Sequence, residues 1–471
     1  MHGSGFSFID GVSRYRPNDR QSGLPLGSRL CPPVGDYGSV TSTNGVLTHA
    51  RADSSSAGSP GLTRALRLTI YAAWIIALVG IPLVIVDVIG KGMIDLNVYR
   101  DGGHAWLDGI PLYANGFGER PGAHHLPFTY PPFAAILFSG LSVIGGPAAQ
   151  VLIATGSILA ITFTSWLVLR RMGVSEPWQW PIAALASLFA WAIEPDWATL
   201  GYGQVNLLLM ALVAVDCLAV RVPRWRGVLV GVAAAVKLTP AVFVLFFLFR
   251  RDYRAVANGV IGFAVCSGLA WLLSPKDSRA YWFDALLNPN RPGGLSFARN
   301  QSIRGVLHRL RLPAHEELLL WALASIVVVS LAWLASRRSE PVALVAVAFV
   351  GLLVSPISWD HHWVWVVPAE LLIGWPLWTA RAWAGLIAAA GFAVVFVAAP
   401  FYWLPSEHGA EMHWTVLQNI AGGGYVWVGF AALIWLAFGR PDRRSDDRLS
   451  KLRSARRTGR ECGGAPHRAI E

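Results

Sequence analysis

Charge is scarce in this chain. Only 14% of its 471 residues are Asp, Glu, Lys or Arg, against about 25% in an ordinary soluble domain. Cysteine is scarcer still. Cys31, Cys217, Cys266 and Cys462 are scattered, with no CxxC pair and no zinc-type spacing, which leaves no cysteine framework to build a fold on. The first 60 residues contain no long apolar run, so no cleavable secretory signal is expected there. A concentrated basic face is also lacking, although basic residues exceed acidic ones by 11. Residues 1–67 hold 7 Arg and 4 Asp, and residues 440–471 hold 10 basic and 5 acidic residues, leaving 22 basic and 19 acidic residues between them. That distribution fits arginine around hydrophobic spans and excludes a nucleic-acid-binding protein.

What the chain has is apolar surface: 54% hydrophobic residues and 22 Trp. Lipid is the solvent such a composition suits. Residues 1–65, rich in Gly, Ser, Pro and Arg, are expected to form a disordered cytoplasmic tail. Residues 66–440 form the membrane domain, and 441–471 a basic cytoplasmic tail. Apolar runs of spanning length cover 66–90, 147–169, 177–193, 205–220, 253–273, 314–336, 341–357, 362–378, 382–399 and 424–439. The run 227–249 is broken at Lys237-Leu238-Thr239-Pro240, where Pro240 interrupts helical hydrogen bonding.

Basic clusters mark cytoplasmic loops. They occur at Arg170/Arg171, Arg221/Arg224/Arg226, Arg250/Arg251/Arg254, Arg337/Arg338 and Arg381. All fall inside if 131–145 lies on the outer surface and 227–249 is a broken hairpin. The fold class is then an all-α polytopic membrane protein of about twelve helices, with both termini cytoplasmic. Of the 19 acids in the middle region, 13 fall on the outer face. The long loops 91–146, 274–313 and 400–423 fall there too. Chemistry is therefore expected outside the cytoplasm, although acids also accumulate on the translocated side for no functional reason.

Candidate chemistry lies in short segments. Asp95, in Asp95-Leu96-Asn97-Val98-Tyr99-Arg100, sits just past the first span. Half desolvated, it could serve as a general base; equally, it could cap a helix 96–108. His124/His125 precede Phe128-Thr129-Tyr130-Pro131-Pro132, where two prolines fix an extended entry into a surface helix. Gly203-Gln204-Val205-Asn206 offers amides for sugar hydroxyls, or a plain tight turn. Lys237 is a costly cation inside a membrane segment. It suits a phosphate, or it snorkels to the interface. Arg299-Asn300-Gln301-Ser302-Ile303-Arg304 suits a phosphate or sugar, or caps a following helix. Ser358-Trp359-Asp360-His361-His362-Trp363 begins an outer span. It could be an aromatic belt with caps, or a site where Trp stacks on sugar and His contacts phosphate. Three adjacent residues cannot all face one metal, so no metal site is expected.

Taken in order, Asp95-Leu96-x-Val98-Tyr99-Arg100, Pro111-Leu112-Tyr113, Phe128-Thr129-Tyr130-Pro131-Pro132, Gly203-Gln204-x-Asn206, Lys237-Leu238-Thr239-Pro240, Asn300-Gln301-Ser302 and Ser358-Trp359-Asp360-His361-His362 resemble glycosyltransferase family 87. The resemblance runs from about residue 66 to 440 and is specific as an ordered set. Within the family the chain looks most like the enzymes of phosphatidylinositol mannoside and lipomannan assembly. The resemblance implies a GT-C bundle with outer juxtamembrane helices. It also implies an inverting α-1,2-mannosyltransferase using polyprenyl-phosphate-mannose and a glycolipid acceptor at the extracytoplasmic face of the plasma membrane. The catalytic Asp of the first outer loop maps onto Asp95, with His361 or His362 as its catalytic partner. Tyr99, Arg100, Tyr130, Gln204, Asn206, Lys237, Asn300, Gln301, Arg304, Trp359 and Asp360 form the candidate substrate-binding set. No DxD motif occurs in the outer loops, in keeping with a metal-independent lipid-phosphate donor. No cofactor is implied. The competing readings are a GT-C enzyme for another sugar or acceptor, and a secondary transporter or flippase.

Overall fold

The computed structural model describes residues 60–89, 92–114, 116–119, 126–288, 293–406 and 408–439. Residues 1–59, the C-terminal tail and the His124/His125 pair fall outside those residues, while residues 60–65, expected to belong to the N-terminal tail, already form the start of the first helix. Within the described residues every regular element is helical, apart from one isolated β-bridge between Asn300 and Trp359. The helices in chain order are α1 (Pro60–Ile89), α2 (Ile94–Leu107), α3 (Pro132–Ser142), α4 (Gly146–Arg171), α5 (Glu176–Ala192) and α6 (Glu194–Tyr202). Then follow α7 (Asn206–Ala214), α8 (Val228–Val236), α9 (Val244–Phe249), α10 (Tyr253–Leu273), α11 (Pro275–Phe283) and α12 (Ile303–Arg309). The last are α13 (Ala314–Ser336), α14 (Glu340–Val354), α15 (Val366–Thr379), α16 (Trp383–Ala398), α17 (Val416–Gly422) and α18 (Gly424–Phe438).

The expected count of about twelve spans is not what length and composition yield here. Four described helices are long and apolar enough to cross a bilayer: α1, α4, α10 and α13. Two bent pairs raise that to six: α6 with 206–219, bent by 112°, and α17 with α18, bent by 62°. The physical reason is length. Helices such as α14 and α16, 15 and 16 residues long, reach about 22–24 Å at 1.5 Å per residue, short of a 30 Å hydrocarbon core.

The element after the double proline is α3, a helix only 11 residues long. It packs along α2, where Tyr99 stacks on Phe138 at 4.3 Å. Glycine makes this approach possible: a Cβ on Gly103 would collide with Ser142 Oγ and lie 2.8 Å from the Phe138 carbonyl oxygen. The segment 227–249 does turn back on itself. Its two ends meet, with Arg226 Nε 3.2 Å from Asp252 Oδ2 and the Arg226 guanidinium 5.6 Å from the Phe247 ring. Lys237, extended at φ −147°, ends α8 at the tip.

Hydrogen bonds sort the bundle into two ends. At one, Glu340 at the start of α14 gathers Arg171, Arg221 and Arg226 at 3.1, 3.0 and 3.5 Å. Nearby, Arg250 donates to the Ser336 carbonyl at 3.0 Å and Arg338 to the Leu436 carbonyl at 2.7 Å. At the other end, the loops after α1, α6, α8, α11, α14 and α16 converge. The second end holds the candidate residues.

Candidate functional site

Chain direction reverses between α1 and α2 through two left-handed residues, Gly92 at φ 79° and Met93 at φ 38°. A buried non-glycine residue in that region is strained. It aims the first turn of α2 into the bundle. Met93 occupies the N-cap position and Asp95 lies inside the first turn, so Asp95 does not cap the helix. Its Oδ2 instead accepts from Gln204 Nε2 at 3.0 Å.

Gln204 is placed by the turn between α6 and α7. Gly203 makes that turn at φ 67°, with its N–H bonded back to Leu200. A Cβ there would lie 2.8 Å from Leu96 Cβ and 3.0 Å from Met93 Cβ. Only glycine allows both the left-handed turn and this close approach to α2. The Gln204 oxygen accepts from Tyr99 and from Tyr130, the latter at 3.1 Å. The two phenol oxygens are themselves 3.1 Å apart. Both phenols therefore orient the Gln204 amide, and the amide orients Asp95. Burial pushes the Asp95 carboxyl above the ordinary carboxylate range. Attraction from His361 and Lys237, the Gln204 hydrogen bond and Arg299 oppose this without cancelling it.

Lys237 faces the same space. Its Nζ donates to Asn206 Oδ1 at 2.8 Å and lies 3.2 Å from His362 Nε2 and 5.7 Å from the Tyr130 ring centre. Asn206 Nδ2 and Thr199 Oγ1 both donate to the His361 carbonyl at 2.7 Å. Two helices thus pin the backbone between the paired histidines. Asp360, fully buried, accepts from the His361 backbone N–H at 2.8 Å and contacts His361 Nδ1 at 3.0 Å. That contact assigns the ring proton to Nδ1 and leaves Nε2 free. Asp360 Oδ2 accepts from Arg299 Nε.

A narrow apolar cleft is lined at one end by His362, Asn206 and Ser358. It runs between α7 and α14 past Leu209, Val213, Phe243, Ala348 and Leu352. From Asn206 to Val213 it follows α7 for about 10 Å.

The candidate residues do not all meet. Asp95, Tyr99, Tyr130, Gln204, Asn206, Lys237, His361, His362 and Asp360 converge. Arg100 donates instead to the Leu141 and Ile144 carbonyls, at 3.1 and 3.0 Å, in the last turn of α3 and just past it. Asn300 and Gln301 are fully buried. Asn300 donates to the Leu295 and Pro356 carbonyls, and Gln301 to those of Ala298 and Gly422. Ser302 caps α12 by accepting from the Gly305 N–H at 3.0 Å. This motif is a buried clip: Gln301 N–H bonds the Ser358 carbonyl at 2.7 Å and Asp360 N–H that of Arg299 at 3.0 Å. Arg304 pairs with Glu317 at 3.3 Å. Trp359 is partly exposed and meets Phe297 edge to face at 5.8 Å. Trp363 is no belt residue; it is fully buried against Phe349, Phe396 and Tyr425.

Glu194, Thr199, Tyr202, Tyr402 and Tyr425 were not among the candidate residues. Tyr402 and Tyr425 lie over 200 residues from the Glu194 carboxyl they bond, and no local pattern announces them. Among the described residues no group of three or more His, Cys, Asp or Glu is placed to hold a metal ion.

Comparison with known proteins adds three findings. The model of glycosyltransferase family 87 matches residues 128–356. A polyprenol-phosphate-mannose-dependent α-(1-2)-phosphatidylinositol mannoside mannosyltransferase of Mycolicibacterium smegmatis is 40% identical over 72% of this chain and 82% of its own length. A protein of the same description from Mycobacterium tuberculosis is 36% identical over 72% of this chain and 83% of its own. Among solved structures, ArnT from Cupriavidus metallidurans covers 81% of this chain and 78% of its own at 16% identity, with a TM-score of 0.32.

Proposed function

Because this chain belongs to glycosyltransferase family 87, we propose that it transfers mannose from polyprenol-phosphate-mannose to a phosphatidylinositol mannoside, forming an α-1,2 linkage. The observation that carries this reading is one juxtaposition. A desolvated carboxylate, Asp95, shares a space with a Lys237–His362 pair, and the pair stands at the mouth of an apolar cleft. Those are the parts such a reaction needs. The isoprenoid chain lies in the cleft or along its lipid-facing opening. The donor phosphate meets the Lys237 ammonium as a point charge.

The acceptor hydroxyl then lies against Asp95, which takes its proton as the oxygen attacks the sugar C1. The C1–O bond to phosphate breaks, and the electron pair leaves on the phosphate. A β-linked donor becomes an α product by this one displacement. No covalent intermediate and no second carboxylate are needed. Charge developing on the leaving phosphate is stabilised by Lys237 and a histidine already in place. Gln204, Tyr99 and Tyr130 act by holding Asp95. Asp360 acts by holding His361. The fold is of GT-C type, with the site end of the bundle outside the cell and the arginine-rich end in the cytoplasm. No metal is part of this chemistry.

The test is transfer by purified protein in nanodiscs. Labelled mannose passes from polyprenol-phosphate-mannose to phosphatidylinositol mannoside, and the activity persists in EDTA. Metal-dependent transfer directly from GDP-mannose would overturn both the donor and the site assignment.

A further inference from the structure

Beside His361 lies a cluster that meets the ring through Asp360 and through Tyr202, whose ring stands edge to face with it at 5.6 Å. Arg299 stands at its centre. Its guanidinium carbon is 5.2 Å from each of the Tyr202 and Tyr402 ring centres. Its Nε donates to Asp360 and its Nη2 to the Tyr202 hydroxyl. Nη2 also lies 3.7 Å from Glu194 Oε1. Glu194 is 6% exposed and meets two phenols, Tyr402 at 3.0 Å and Tyr425 at 2.9 Å.

One guanidinium faces two buried carboxyl groups, and two adjacent carboxylates cannot both stay ionised cheaply. The donors decide which keeps the charge. Asp360 receives Arg299 Nε, the His361 N–H, His361 Nδ1 and, at 3.4 Å, Tyr402. Glu194 accepts from phenols, with the guanidinium beyond hydrogen-bond range. A proton on Glu194 has an acceptor in the adjacent Asp360 carboxylate, with which Glu194 shares a side-chain hydrogen bond. Glu194 is then neutral and Asp360 carries the charge.

We propose that Glu194 is a positioning residue for His361, a neutral brace that holds the Asp360 carboxylate against His361 Nδ1, directly and through the Tyr402 hydroxyl that lies between the two carboxyl groups. This rests on the reading of His361 as part of the transferase site. A single anion behind the ring keeps the proton on Nδ1 and turns Nε2 toward the space shared with Asp95, Lys237 and His362. Without the brace, Asp360 relaxes and the ring loses its fixed tautomer.

Three variants of the full chain test this. Glu194→Gln keeps shape and neutrality, and its kcat stays within about threefold of wild type. Glu194→Ala removes the brace and lowers kcat at least about tenfold, with donor and acceptor KM unchanged. Tyr425→Phe, which removes one of the two phenols that hold the Glu194 carboxyl, lowers kcat in the same direction and serves if Glu194→Ala does not fold. A readout without turnover is the imidazole ¹⁵N spectrum of His361, identified by its loss in His361→Gln. The Nδ1–H tautomer is expected in wild type and Glu194→Gln, and a tautomer mixture in Glu194→Ala. Damage by Glu194→Gln equal to that of Glu194→Ala would show an ionised Glu194 and overturn the proposal. So would a wild-type tautomer together with wild-type kcat in the brace-deleted variants. Failure of wild type to transfer mannose would overturn the functional reading while leaving the tautomer measurement to decide this one.

Discussion

Asp95 has one hydrogen-bond partner of note, Gln204, and that partner is itself held by two phenols. The arrangement keeps one carboxylate oxygen oriented while burial weakens its hold on the charge. A base of this kind works only when deprotonated. Because its carboxyl is pushed above the ordinary range, kcat should fall with decreasing pH at a higher pH than an exposed carboxylate would give. Above that point Asp95 is ionised and the rate levels off. Asp95→Asn keeps the shape but removes the proton acceptor, so kcat should drop about 10²- to 10⁴-fold. The acidic limb attributable to Asp95 should vanish with it. Insertion and melting temperature should stay close to wild type, since the amide keeps the shape and removes a charge that burial disfavours. A purified Asp95→Asn protein with more than half the wild-type rate would reduce the residue to a structural acid.

Position within an element decides which of these residues can be read from sequence. Asp95, Lys237 and the histidine pair stand out because charge and imidazole are expensive beside apolar runs. The two roles open for Asp95 are separated only by the backbone: left-handed Met93 takes the cap position and moves Asp95 into the first turn. Asn300 and Gln301 read as ligand-binding amides, yet their donors are consumed by loop carbonyls. The same residue types serve either purpose, and pattern does not tell them apart. The Glu194 cluster joins the start of α6, the loop before α12, the turn after α16 and the start of α18, so its spacing carries no signal. Gly203 is the hinge of the readable part. Gly203→Ala adds the cost of a left-handed alanine, about 1–2 kcal/mol, and pushes Leu96, in the first turn of α2 beside Asp95, and Met93 at the N-cap of that helix. Turnover should fall about tenfold or more, beyond what the lost stability explains. Gly109→Ala is the control. It has φ 68° but nothing within 4 Å of its added carbon, so it carries the strain alone. Equal activity in the two variants would show that the turn does not position Asp95.

Across the whole molecule, charge sets orientation before any site is considered. The arginines that converge on Glu340 close one end of the bundle, and Arg338 ties the last turn of α18 to that same end. If the positive loops stay in the cytoplasm, as we propose, Asp95, Lys237 and His361 lie at the opposite surface. Sugar nucleotides are made in the cytoplasm, so a site on the far side requires a donor that crosses the bilayer as a lipid. The sidedness and the donor therefore stand or fall together. A protein with Cys462 as its only cysteine should react with an impermeant maleimide only after cells are permeabilised. Asp284→Cys in a cysteine-free background, on the turn after α11, should react in intact cells. Labelling of Cys462 in intact cells, with the Asp284→Cys protein protected, would place the site in the cytoplasm. In that case Lys237 would face the compartment of the nucleotide sugars, and the need for a lipid-linked donor would be gone.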